Sequence, residues 1–212
     1  MLDRAWLSAF VLLFLAGCGD KTIALTYAAA GPPASPPTSA RAVTIFAFRD
    51  ARGDEGDGHP NRVGGIYGGY GNRLSKVWTP RPWMPTLVNA LATGFLSRGV
   101  PAEAAADREF SAGDPAITGC ALGGELRNFS TEARYTNSAH ISAIVRLWEA
   151  DGTLAVEKEI SQRVRSEYGG GGVFTSVDDL QRIMNDALNQ FVQRVTTDPD
   201  ITARLMGAKR PE

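Results

Sequence analysis

Histidine and cysteine are scarce, with two of each in 212 residues. Two cysteines exclude a disulfide-rich scaffold and an all-cysteine zinc site. The histidines, His59 and His140, lie far apart in the chain, and no HExxH, GxSxG or Cys–His signature is present. The sequence therefore offers no set of residues for zinc or nucleophilic hydrolysis. Charge of one sign is also lacking: 22 Lys+Arg stand against 23 Asp+Glu, for a net charge of −1. That balance argues against a basic nucleic-acid binder and gives no electrostatic case for a polyanionic partner. Only one long apolar run occurs, so a multi-span membrane protein is excluded. What remains, 43% apolar and 21% charged residues, is the composition of an ordinary folded domain.

The single apolar run is residues 5–17, preceded by Arg4. Its length suits a secretory signal and is too short for a spanning helix, which needs about 20 residues. It ends in Leu15-Ala16-Gly17-Cys18, which resembles the lipobox of bacterial lipoproteins. In those proteins the cysteine thiol receives a diacylglyceryl group, the signal is removed, and the new amino terminus is acylated, commonly with palmitate. The resemblance implies lipidation at Cys18 and loss of residues 1–17. Two or three acyl chains, at about 0.8 kcal/mol per buried CH₂, anchor a protein stably. Gly19 stands where an Asp would favour inner-membrane retention, so the expected location is the periplasmic face of the outer membrane, with the periplasmic face of the inner membrane as the alternative.

Residues 18–41 are expected to form a lipid-anchor tether, with the Pro/Ala/Ser stretch 28–40 extended. A single domain is expected over 42–207, and residues 208–212 as a frayed tail. The run Ala42–Phe48 is rich in β-formers and predicts the first strand. Residues 51–72 carry eight glycines and almost no large aliphatics. They predict a long functional loop with no packed element. Met84, Leu87, Val88, Leu91 and Phe95 share one helical face, with Pro80, Pro82 and Pro85 near its start and Gly99 after its end. Gly94 in that helix suggests close packing on the sheet. Residues 100–105 predict a short strand.

Three antiparallel strands are expected next, near 117–130, over 139–147 and over 154–164. The second alternates Ala139, Ile141, Ala143, Val145 and Leu147 with a wetter face, and Asp151-Gly152 marks the turn to the third. Asn137-Ser138 is expected to make the turn before it. A helical stripe runs from Val177 to Val195, opened by Ser176 with Asp179 three residues later. Asp198-Pro199 starts a short final helix. The expected fold is therefore α+β in two layers, a mostly antiparallel sheet with two main helices packed on one face.

Three features together resemble the YajG family of bacterial lipoproteins. They are the lipobox with its tether, the strand ending Phe48-Arg49-Asp50-Ala51-Arg52, and a loop with Val63-Gly64 and Gly69-Tyr70-Gly71 before the helix at 84–98. Gly68-Gly69 replaces an expected Asn, and the DEGDGHP run lengthens the loop. More broadly the layout resembles auxiliary lipoproteins of envelope transport systems and the N-terminal module of TolB. The resemblance implies an envelope lipoprotein that binds a partner and is not an enzyme, with no cofactor.

Tyr67, Tyr70, Trp78 and Trp83 sit in or beside the glycine-rich segment and, with Asp50 and Arg52, form the candidate binding set. Such aromatics anchor interfaces with proteins or stack on sugars. The competing interpretation is that they pin the loop to the sheet. Gly169–Gly172 before a helix lacks the spacing of a phosphate loop, and Asp178 and Asp179 would repel an anion there. Asp50, Asp54, Glu55, Asp57 and His59 are acidic enough to suggest calcium, but Arg52 interrupts the ligand order, and no metal is expected. Cys120 lies in an apolar run and reads as a buried hydrophobe. The expected function is a non-catalytic module, anchored to the membrane through Cys18, that binds an envelope protein and no nucleic acid. The alternative is a module for a small ligand or cell-wall glycan.

Overall fold

The computed structural model describes residues 19–29, 31, 40–53, 58–111, 119–166 and 175–207. Cys18, most of the 28–40 stretch, Asp54, Glu55, Asp57 and Gly169–Gly172 lie outside them. In chain order the elements are β1 (Lys21–Thr22), β2 (Val43–Ala47), β3 (Arg49–Asp50), β4 (Arg62–Tyr67), β5 (Arg73–Trp78), α1 (Trp83–Leu96), β6 (Ala102–Glu109), β7 (Cys120–Ala133), β8 (Asn137–Trp148), β9 (Leu154–Arg165), α2 (Val177–Thr196) and α3 (Pro199–Leu205). Among the described residues no helix is long and apolar enough to cross a membrane.

The fold is α+β, built on one open mixed sheet. β7, β8 and β9 form the expected antiparallel meander and carry the longest ladders. Along its other edge β7 pairs in parallel with β2, then β3, then β4. β6 lies parallel to β2, and β5 returns antiparallel to β4. The parallel pairs follow from the crossovers made by α1 and the long connections, which local periodicity does not encode. The turn between β7 and β8 lies at 134–136. Asn137 opens β8 instead of turning, because its side chain bonds Asp179 at 2.6 Å and Thr175 at 3.0 Å in the interior.

Both main helices pack on one face. The α2 stripe from Leu180 to Val195 is buried as its spacing predicts, and Ser176 Oγ accepts from the Asp179 N–H at 3.0 Å. On α1, Leu87, Val88, Leu91 and Phe95 are buried. Gly94 does not meet the sheet as expected. A Cβ there would lie 2.6 Å from Val192 Cγ1, so the missing side chain lets α1 approach α2.

The glycine-rich stretch contains a hairpin, contrary to the expectation that 51–72 holds no packed element. β4 is fastened by its main chain to β5 and β7, with Val63 and Ile66 supplying the buried aliphatics. Gly64 has φ +148°, and a Cβ there would stand 1.8 Å from the Thr131 carbonyl oxygen. Glycine is what permits this close approach, so a residue type that usually marks a loop here makes a strand. The turn closes by Gly68 N–H donating to Asn72 O at 2.8 Å.

Residues 19–29, expected to belong to a free tether, lie docked on the domain. Asp20 accepts from the Lys76 N–H and from Trp78 Nε1, each at 2.9 Å. Lys21 and Thr22 pair with β5 in parallel, and Ile23 is fully buried. The N–H groups of Ala24, Thr26 and Ala28 then donate to the side-chain oxygens of Gln181, Asn185 and Asn189 at 2.9, 3.0 and 3.2 Å. Four residues of helix rise about 6 Å and two residues of extended chain about 6.6 Å, so the two spacings match.

Gly64→Ala should lower stability by about 2–4 kcal/mol, since strain at that φ adds to the clash with Thr131. Urea denaturation with matched m-values checks this.

Candidate functional site

The sequence-predicted residues divide among three places. The first is interior. Arg52 follows β3 and its side chain is 3% exposed. Its Nε and Nη2 donate to the two Asp50 oxygens at 2.9 and 2.8 Å, a bidentate pair. Nη1 donates to the Arg62 carbonyl at 2.7 Å. The guanidinium stacks 4.3 Å from the Trp83 ring centroid, and Trp83 stacks on Phe129 at 4.6 Å. Asp50, Arg52 and Trp83 are thus brought together, as a clamp joining β3, β4, β7 and α1. Trp83 and Arg52 are buried and offer no surface to a partner. Partial burial pushes the Asp50 carboxyl up, but its hydrogen bonds from Arg52 outweigh that and hold it below the ordinary range.

The second place is the end of the sheet where the β4–β5 and β7–β8 turns meet. Tyr70 is fully exposed at one tip and Tyr135 is 77% exposed at the other. Tyr135 Oη donates to the Gly69 carbonyl at 2.9 Å, tying the turns together. Tyr67 lies beneath the Arg134 guanidinium, 4.7 Å away. Tyr135 and Arg134 were not among the expected residues. Trp78 is at the opposite end of β5, bonded to Asp20, with His59 edge-on at 4.8 Å. The six expected residues therefore do not form one surface.

The third place was missed from sequence. On the sheet face away from the described helices, Phe46 is fully buried, and among the described residues no helix covers it. Phe110 meets Phe46 edge-on at 5.7 Å and stacks on Trp148 at 4.2 Å. Arg108 lies 5.4 Å from the Phe46 centroid. A shallow cavity of about 230 Å³ opens beside them, lined by Phe110, Trp148, Gly124, Arg49 and Arg146. Arg49 pairs with Glu125, and Arg146 Nε donates to Glu157 at 2.6 Å. The Arg49 contact holds the Glu125 carboxyl below its usual range. The signal was present in the alternation: Val43 and Ile45 face the helices, so Phe46, the next residue along the strand, cannot.

His140 Nε2 lies 3.0 Å from Ser161 Oγ on the same open face, well apart from His59. Among the described residues no group of three or more His, Cys, Asp or Glu could hold a metal. Cys120 is buried and its thiol is pushed up by that burial.

No family model matches the sequence, and no curated protein does. Solved structures do match the fold. A Xanthomonas campestris protein of family DUF330 aligns with TM-score 0.61 and 16% identity, covering 88% of this chain and 96% of its own. An uncharacterised protein aligns at 0.52 with 13% identity, covering 84% and 97%. A lipoprotein from Neisseria meningitidis is more distant, at 0.36 with 14% identity over 70% and 96%. At that distance the match carries no weight for function. The first two show the fold alone: this chain shares their arrangement of strands and helices.

The folded Asp50 pKa lies below its unfolded value. The Asp50–Arg52 pair is thus fully stabilising above the ordinary value of 3.8 and loses its contribution as pH falls through the lower folded value. Asp50→Asn should cost about 2 kcal/mol at neutral pH, after allowance for the partial exposure of Asp50. It should also flatten the acid limb of a stability-against-pH curve measured by urea midpoints.

Proposed function

We propose that this chain is a non-catalytic lipoprotein of the bacterial cell envelope, anchored through acyl chains on Cys18, that binds a protein partner. The observation that carries the binding assignment is the half-buried Phe110–Trp148 stack on the sheet face opposite the described helices, seated on the buried Phe46. An apolar centre there is rimmed by Arg49, Arg108 and Arg146. Aromatic centres with polar, arginine-rich rims are the usual anatomy of protein contacts. The site moves from the glycine-rich segment expected from sequence, because Trp83 and Arg52 serve the interior.

The lipobox-like ending of the N-terminal run supports the anchor, and Gly19 favours the periplasmic face of the outer membrane over the inner membrane. A second reading, a cell-wall glycan as ligand, draws on the cavity beside Trp148. A ring stacked on an indole with guanidinium groups at its edge is a workable sugar site.

In-cell photocrosslinking from Ile144, on the same face, should yield a discrete protein adduct that disappears in Trp148→Ala while the melting temperature changes little. A pattern indistinguishable from that of Thr93, on the outer side of α1, would overturn the protein-partner reading. A thermal shift with soluble peptidoglycan fragments, lost in Trp148→Ala, would favour the glycan instead.

A further inference from the structure

We propose that the two linked turns carrying Tyr70 and Tyr135 rest in the headgroup layer of the membrane that holds Cys18. The inference depends on lipidation at Cys18 and concerns which end of the body meets the bilayer.

Four observations fix that end. Asp20 is held at Lys76, and Cys18 is two residues away, hence within about 7 Å of it by chain length alone. β1 runs parallel to β5, with Lys21 beside Val77, so from Thr22 back to Gly19 the described chain heads toward the start of β5 and its turn. From Lys76 back to that turn is roughly 15 Å at about 3.3 Å per residue. The β7–β8 turn is at the same end, tied in by the Tyr135–Gly69 hydrogen bond. The start of α2 is there too, through the Asn137–Asp179 contact.

The chemistry at that end suits the headgroup layer. Tyrosines concentrate where one end of a side chain is apolar and the other wet, and basic side chains favour the phosphates of anionic lipids. Tyr70 and Tyr135 are the two most exposed large hydrophobics among the described residues. Arg73 and Arg134 flank them, both exposed, with Arg134 also paired to Glu132 at 3.5 Å. The β8–β9 turn, with Ala150 exposed, is at the opposite end of β8 and points away. The helix-free face then stands across the membrane normal, open to a partner.

The test uses the full chain, processed in a bacterial host and reconstituted in phosphatidylethanolamine/phosphatidylglycerol vesicles. Tyr70→Cys, Tyr135→Cys and, as control, Ala150→Cys each carry an environment-sensitive dye. Cys18 is blocked by acylation and Cys120 is buried. Headgroup-level spin-labelled lipid should quench the dye about twofold or more at positions 70 and 135, and not at 150. Equal exposure to water at all three positions, in protein whose Cys18 mass spectrometry shows to be acylated, overturns the orientation and leaves the anchor intact. An unmodified Cys18 overturns the anchor and the orientation with it.

Discussion

The architecture depends on β7 being paired along both edges. Fourteen residues, Cys120 to Ala133, hold β8 on one side and β2, β3 and β4 in succession on the other. Every other element is placed by reference to this strand. α1 and α2 cover its helix-side residues Leu122, Leu126 and Phe129, and the Asp50–Arg52 clamp locks the junction where β3 gives way to β4. Such double pairing demands close main-chain approach at the joints, and glycines stand there. A Cβ at Gly64 would strike Thr131, one at Gly119 would strike Ala42, and one at Gly124 would strike Ile144.

That dependence explains which parts of the fold could be read in the sequence. α2, β8 and β9 carry their own periodicity, so their faces and limits followed from local spacing. The β4–β5 hairpin carries almost none. Its strand character comes from β7, more than sixty residues further along, and the glycines that permit the pairing look locally like loop. The parallel joins were hidden for the same reason. The clamp was half legible: Asp50, Arg52 and Trp83 stood out as unusual residues, but nothing local told whether they faced outward or inward.

The surfaces follow from the same geometry. One face of the sheet is consumed by the helices, which leaves the other with Phe46, Phe110 and Trp148 grouped at the β2–β6 side and with arginine–glutamate pairs across the meander. The sheet ends are distinct as well, one bearing exposed tyrosines and the other the acidic turn at Asp151. A body with one anchored end and one uncovered face suits a module that presents a surface sideways in a confined space.

The carboxamide ladder on α2 has an evolutionary corollary. Gln181, Asn185 and Asn189 engage main-chain donors of residues 24, 26 and 28, so recognition at 24 and 28 is indifferent to side-chain identity, while Asn185 also donates to Thr26 Oγ1 at 3.0 Å. Ile23, Leu25 and Tyr27 pack against the core, so the freedom to drift through most of the amino-acid alphabet is confined to the exposed positions 24 and 28. Proline alone is forbidden at alternate positions, because it has no hydrogen to give.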